Sequence, residues 1–439
     1  MSTVVGTSRA ADASQSRLGS FLRSLGPGLL WAGAAIGVSH LVQSTRAGAD
    51  GGFALAGVIL FSLILKYPFF EFGPRYAAAT GESLLEGYRR IGRWALWLYF
   101  SVILLTVVIT HAAIILFTSS LLLFAFGSTA SMTVVAALLY VGCMVLLGAG
   151  RFNGLDWAIK IVLVILAAST LTAAVIVIPR ADLGTLSLMP LPPAGSAIPF
   201  AFVLALAGWM PSDIAISGHS SLWTLAKIRE GGGEVTPARI RLDFVLSYLG
   251  TGVLAFAFLT LGAAVMYGTG AVFSSAGTVF STQLIDMYAS TLGAWTRPVV
   301  LLAAVTAMLS TTLAIIDGYP RVIDRAIKII ARGASGRSST RTTADAPVST
   351  PYWVAMAAIG VLTIVVLQFF SGSLTGMVDF VTTVAFLTGP ILGFLNLRVI
   401  TSASVPDRFR PGRAMRIFSW FGLFVLGAVA VAYLASLAG

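Results

Sequence analysis

The sequence predicts an all-α integral membrane protein with about eleven transmembrane helices, on three observations. Of its 439 residues, 57% are hydrophobic and only 10% charged, against roughly a quarter charged in ordinary globular chains. Apolar runs close to the ~20 residues that cross a bilayer recur from residue 27 to the C-terminus. The basic residues between those runs are concentrated in alternate loops, as membrane insertion requires.

Residues 1–24 are small and polar and read as a disordered cytoplasmic tail rather than a cleavable signal peptide. The spans follow at 27–48, 53–78, 94–126, 130–149, 157–179, 198–224, 244–268, 298–320, 352–371, 374–397 and 416–437. The polar stretches 80–93, 225–243, 333–351 and 402–415 are each too short to bury a core of their own. Residues 25–439 therefore read as one transmembrane domain, and any ligand site must lie within the membrane part.

The formal charge of +11 does not form one basic face, which sets nucleic acid aside. Arg75 lies near the end of span 2, Arg89, Arg90 and Arg93 between spans 2 and 3, and Arg321, Arg325, Lys328, Arg332, Arg337 and Arg341 between spans 8 and 9. Loops 3/4 and 9/10 carry no Lys or Arg. The expected placement is a multi-pass cell-membrane protein with its N-terminus in the cytoplasm and its C-terminus outside, in contact with membrane lipid. The single cysteine, Cys143, excludes an internal disulfide, and the oligomeric state is not legible. No Walker A loop, His-Glu-x-x-His or Gly-x-Ser-x-Gly motif is present, so an enzyme is not expected.

Spans 1 and 6 are interrupted in corresponding ways. Span 1 runs Gly33-Ala-Ala-Ile-Gly37-Val-Ser39-His40, and span 6 runs Ala207-Gly208-Trp209-Met210-Pro211-Ser212-Asp213. Unwound helices at matched positions of two halves point to a transporter's substrate site, because the freed backbone groups cannot face lipid. Their separation by five spans suggests a 5+5 inverted repeat, one half at 25–180 and the other at 195–398, with 416–437 as an extra helix.

Four segments resemble the Nramp family of divalent-metal transporters, which has the LeuT-type fold. Gly26-Pro27-Gly28, followed by Gly37-Val38-Ser39-His40 and Ala47-Gly48-Ala49, is similar to the family's first helix, where Asp-Pro-Gly-Asn stands at the break. Thr80-Gly81-Glu82-Ser83-Leu84 resembles the Thr-Gly-x-x-Leu after its second helix, Ala207-x-x-Met210-Pro211 its sixth, and Leu309-Ser310-Thr311-Thr312 its eighth. The resemblance implies metal ligands at the first-helix Asp and Asn, the sixth-helix Met and an Ala carbonyl. Here Gly37 and His40 replace the Asp and Asn, Met210 and Ala207 are kept, and a carboxylate appears at Asp213.

The candidate substrate or metal site is therefore Gly37, His40, Ala207, Met210 and Asp213. Ionisable groups in mid-membrane cost at least about 2.5 kcal/mol and are functional candidates by default; the alternative is that His40 and Asp213 bond to each other and hold the broken helices. His111 stands where the family has an Asp associated with proton movement, and either carries a coupling proton or bonds to a backbone carbonyl. Ser310 and Thr311 are candidates for a coupling sodium by the LeuT-type resemblance. Lys160, four residues after Asp156, is either a helical ion pair or, by the same resemblance, a coupling residue. Ser39, Ser212, Ser217 and His219 are candidate cavity-lining residues, and Asp379 and Thr383 could close the cavity. Lys66 must face the protein interior or snorkel, and its partner is not readable.

Two readings follow. One is an Nramp-like, proton-coupled, alternating-access transporter with a divalent metal ion as substrate and no cofactor. The other keeps the fold but carries a small organic or anionic solute, coupled to sodium, since a divalent cation usually wants more negative charge than one carboxylate.

Overall fold

A computed structural model describes residues 27–149, 152–193, 195–230, 236–332 and 349–438. The 1–24 tail and most of the 333–351 loop fall outside the described residues. Among the described residues there is no strand. The helices are α1 (Pro27–Ala35), α2 (Thr45–Gly51), α3 (Ala56–Thr80), α4 (Leu84–Ile91), α5 (Arg93–Ala125), α6 (Met132–Gly148), α7 (Phe152–Val177) and α8 (Phe200–Gly208). They continue as α9 (Ile216–Glu230), α10 (Pro237–Val265), α11 (Gly277–Leu292), α12 (Arg297–Arg332), α13 (Thr350–Phe370), α14 (Leu374–Ile400) and α15 (Arg413–Ala438). Seven are long and apolar enough to cross a membrane, and α6 and the stretch Val164–Arg180 are shorter apolar helices. With the two interrupted spans, α1–α2 and α8–α9, these account for the eleven crossings expected. Large apolar side chains such as Leu105, Val145 and Phe424 point outward, as a lipid solvent demands.

Two helices occupy loops where no apolar run is long enough to mark a span. The α3–α4 corner explains the Thr-Gly-x-x-Leu motif. Gly81 ends α3 with φ +70°, a left-handed turn that favours glycine. Ser83 then opens α4, its N–H bonded to the Glu86 carboxylate in a capping box. The other loop helix, α11, links α10 to α12.

Both breaks fall where expected. Span 1 leaves α1 at Ala35 and resumes as a π-helical turn, Ser39–Ser44, that runs into α2. Span 6 leaves α8 at Gly208 and resumes at Ile216. The start of α1 is held by Asp243 of α10, whose Oδ2 accepts from the Gly28 N–H at 2.7 Å. A Cβ at Gly28 would stand 2.6 Å from the Asp243 carbonyl oxygen, so glycine at this position is a packing requirement.

The half-helices are clamped by backbone-to-backbone approaches through glycine. A Cβ at Gly48 would lie 2.0 Å from the Leu259 carbonyl oxygen, and one at Gly262 would lie 2.1 Å from that of Thr45, so α2 and α10 touch main chain to main chain. On the other half, Gly73 of α3 meets the Ser217 carbonyl of α9, and Gly208 of α8 meets the Thr382 carbonyl of α14, at 2.6 and 1.8 Å from the added carbon. Thus α10 lies along the second half of broken span 1 as α3 lies along the second half of broken span 6.

Substituting Gly48 with Leu is expected to lower the unfolding midpoint in detergent, at a cost of about 1–3 kcal/mol or more from overpacking against fixed backbone. Gly142→Ala on α6, where a Cβ meets nothing within 4 Å, is the control and is expected to be neutral or stabilising by under about 1 kcal/mol. Equal midpoints for the two variants would contradict the clamp.

Candidate functional site

The break between α8 and α9 exposes a run of carbonyls, several of which find donors. The Lys66 ammonium, on α3, donates to Ala207 O at 3.0 Å, Gly208 O at 2.8 Å and Ser212 O at 2.9 Å. Pro211 O lies 3.2 Å from the Ser39 hydroxyl across on the other broken helix. Asp213 O and Ile214 O accept from the Ile216 and Ser217 N–H groups as α9 begins. Asp213 itself turns its Oδ1 to the Ala215 N–H at 3.0 Å, which fixes the carboxylate at the entry to α9. The Met210–Pro211 peptide is cis.

At the span 1 break, the Thr311 hydroxyl of α12 donates to Gly33 O at 3.1 Å. Its side chain fills the space beside Gly37, where a Cβ would stand 3.0 Å from Thr311 Oγ1. The Gly37 carbonyl accepts from the N–H groups of His40 and Leu41, and so belongs to the resumed helix. His40 is fully buried. Its Nε2–H donates to Thr251 O of α10 at 3.0 Å, and its Nδ1 lies 2.8 Å from the Ser39 hydroxyl.

Between the two breaks lies a cavity of about 50 Å³, lined by Ser39, Trp209, Ser212, Asp213, His219 and Thr311 among others. That is room for more than one water-sized group. Its walls also carry Thr110 of α5, Trp223 of α9 and Tyr319 of α12. His219 is buried, and neither ring nitrogen has a hydrogen-bond partner. Its ring meets Tyr319 edge-on at 4.7 Å, and Tyr319 meets His111 at 5.3 Å. His111 bonds Val107 O through Nδ1 at 2.7 Å and leaves Nε2 unpartnered.

A second cavity, of about 510 Å³, is lined by Arg46, Asp50, Phe202, Asp379 and Thr383 among others. An ion pair stands at this cavity. Arg46 of α2 grips Asp379 of α14 through two nitrogens at 2.7 and 3.1 Å, stacks over Phe202 of α8 at 4.6 Å and bonds Gln43. Gln43 in turn donates to Asp379 and Thr382. The pair ties α2, α8 and α14 together.

Of the residues singled out from sequence, Ser39, Ser212, Asp213, His219 and Thr311 meet at the central cavity. Gly37, His40, Ala207 and Met210 stand behind it: His40 is engaged through both ring nitrogens and does not bond Asp213, the Ala207 carbonyl is taken by Lys66, and Met210 is fully buried. Ser217 bonds Phe69 O on α3 instead of lining the cavity. Thr383 lines the second cavity, Ser310 lies beside Thr311 on α12 outside either cavity lining, and the Lys160 side chain falls outside the described residues. Among the described residues no three of His, Cys, Asp and Glu stand together as a metal cage. A metal here would rest on Asp213 with hydroxyl oxygens and water, an oxygen-rich set suited to hard cations.

Five participants were legible only in part or not at all. The partners of Lys66 depend on how α3 packs across the break, although an intramembrane lysine signals some role. Asp243 carried a similar signal, as a carboxylate near the start of an apolar span. Trp209, Trp223 and Tyr319 look like ordinary core aromatics until the fold faces them inward.

A family profile described as natural resistance-associated macrophage protein-like matches residues 28–436. An uncharacterized protein of Pasteurella multocida is 32% identical over 423 residues, covering 95% of this chain and 93% of its own length. The solved manganese transporter of Eremococcus coleocola superposes with a TM-score of 0.65 at 14% identity, over 95% of this chain and 87% of that one. MhsT, solved with L-phenylalanine, superposes with a TM-score of 0.59 at 15% identity, over 96% and 98%. These likenesses give the chain the all-α, LeuT-type membrane fold.

The hydroxyl tie across the first break is open to a direct check. Thr311→Val keeps the shape but strands the Gly33 carbonyl, and is expected to cost about 1–3 kcal/mol of stability. His40→Ala, which vacates a buried imidazole and frees Thr251 O, is expected to lower the unfolding midpoint at least as far. If both unfold like the unsubstituted protein, those contacts do not hold the break.

Proposed function

The chain belongs to the natural resistance-associated macrophage protein-like (Nramp) family, whose members are transporters and not enzymes, and on that premise we propose that it is a secondary transporter carrying a divalent metal ion across the cell membrane by alternating access. The observation that carries this reading is Asp213, a buried carboxylate at an unwound segment, facing a cavity lined by Ser39, Ser212, Thr311 and His219. An intramembrane carboxylate is costly unless a cation or a proton answers it. Hydroxyls and water complete an oxygen shell of the kind Mg²⁺ and Mn²⁺ accept.

Opening and closing fall to the half-helices. The Arg46–Asp379 pair closes the passage between the two cavities by joining α2, α8 and α14, and its release lets those elements part. Coupling to protons is assigned to the succession His219, Tyr319 and His111, which leads from the cavity into the packing between α5 and α12. The N-terminus is cytoplasmic, the C-terminus outside, and residues 25–180 and 195–398 are the two repeats.

A second reading is favoured by one specific observation. With Lys66 beside Asp213, the site carries little net negative charge, and its wall is aromatic at Trp209, Trp223 and Tyr319. Such a site suits a small organic or anionic solute, coupled to sodium near Thr311.

Uptake of Mn²⁺ and Mg²⁺ into proteoliposomes separates the readings. The metal reading expects saturable uptake driven by an inward proton gradient. Asp213→Ala is expected to reduce it about 10- to 100-fold, the worth of one charge-assisted contact. Absence of any metal uptake by a folded protein, with sodium-dependent accumulation of an organic solute, would establish the second reading in its place.

A further inference from the structure

At the broken span 6 a side-chain cation sits on the carbonyls of the unwound segment. An ammonium has three N–H donors and no acceptor. Lys66 spends all three on carbonyl oxygens of one unwound segment, those of Ala207, Gly208 and Ser212, at 2.8–3.0 Å. Two of these oxygens close the C-terminal end of α8, the negative pole of that half-helix. The face of Phe70 lies beside it, its centroid 5.7 Å away, and the bond to Ser212 O brings it next to Asp213 in the chain. The side chain is only 3% exposed, so no water shell replaces these contacts.

The ammonium is also placed with little freedom. Lys66 and Gly73 are two helical turns apart on α3, and so share one face. Gly73 brings that face against the Ser217 carbonyl of α9, while Lys66 bonds the end of α8 and the connecting segment. One rigid helix therefore spans the break and reaches both sides of it.

We infer that Lys66 is a tethered cation: its ammonium holds the unwound segment of span 6 in place of a free metal or alkali ion, and so denies the Ala207, Gly208 and Ser212 carbonyls to the transported ion. Lys66 is then a specificity-determining residue. It confines the substrate to the Asp213 side of the break, where hydroxyls and water are the other available ligands, and it disfavours any substrate that needs a backbone-carbonyl cage. The statement about the substrate rests on the transport reading above; the tethered cation itself does not.

The test replaces the tether by a diffusible cation. Full-length Lys66→Ala is purified in detergent and its unfolding midpoint followed in rising methylammonium chloride, with tetramethylammonium chloride at equal ionic strength as control. Methylammonium has the three N–H donors, whereas tetramethylammonium has the charge and none. The expected result is a lowered midpoint that methylammonium raises saturably and tetramethylammonium does not, with no such response in the unsubstituted protein. An unchanged midpoint in Lys66→Ala, or an identical response to the two salts, overturns the inference. Lys66→Gln, which keeps amide donors without the charge, covers the case in which Lys66→Ala cannot be purified. Its Mn²⁺ uptake is expected to fall about tenfold or more, since a charged donor is lost from a buried site, and wild-type uptake and midpoint in Lys66→Gln overturn the inference. The midpoints need no transported substrate, so a protein that carries no metal can still pass or fail on the tether.

Discussion

A bilayer offers no hydrogen bonds, so a helix that unwinds inside it must hand each freed carbonyl to another donor. That constraint organises this molecule. At span 6 the obligation falls chiefly on one side chain, Lys66. At span 1 it falls on Thr311, on the hydroxyl of Ser39 and on the main chain of the resumed helix. Asp213 and His219 face the space between the breaks.

The same constraint explains the glycines at the crossings. Half-helices too short to span the membrane must be held by their neighbours, and Gly48, Gly73, Gly208 and Gly262 bring main chain against main chain. The clamps sit on α3, α10 and α14, each a continuous helix. The two broken elements are thereby tied to rigid ones, and at the second cavity the Arg46–Asp379 pair, with Gln43, joins α14 to the resumed half of span 1. A ligand that interacts differently with the open and closed arrangements of that pair would drive the change between them.

Much of this was legible before the structure, and the reason differs from residue to residue. Crossings follow from apolar length, which is set by lipid alone, and the breaks at Gly37 and Pro211 follow from backbone chemistry. Asp213 and His219 were recognisable because ionisable groups in apolar spans need a cause. His40 carried the same mark, yet it turns to Thr251 and serves the packing of the π-helical turn against α10. Local sequence does not encode which way a helical side chain faces when the helix is rewound between two others. For the same reason the local sequence does not show that the Ala207 carbonyl accepts from a lysine on another helix.

Anomalous diffraction from crystals soaked in Mn²⁺ would locate the substrate directly. The expected peak lies in the central cavity beside Asp213, with Lys66 still on its three carbonyls. A peak between Met210 and the Ala207 carbonyl, with the lysine displaced, would contradict this placement.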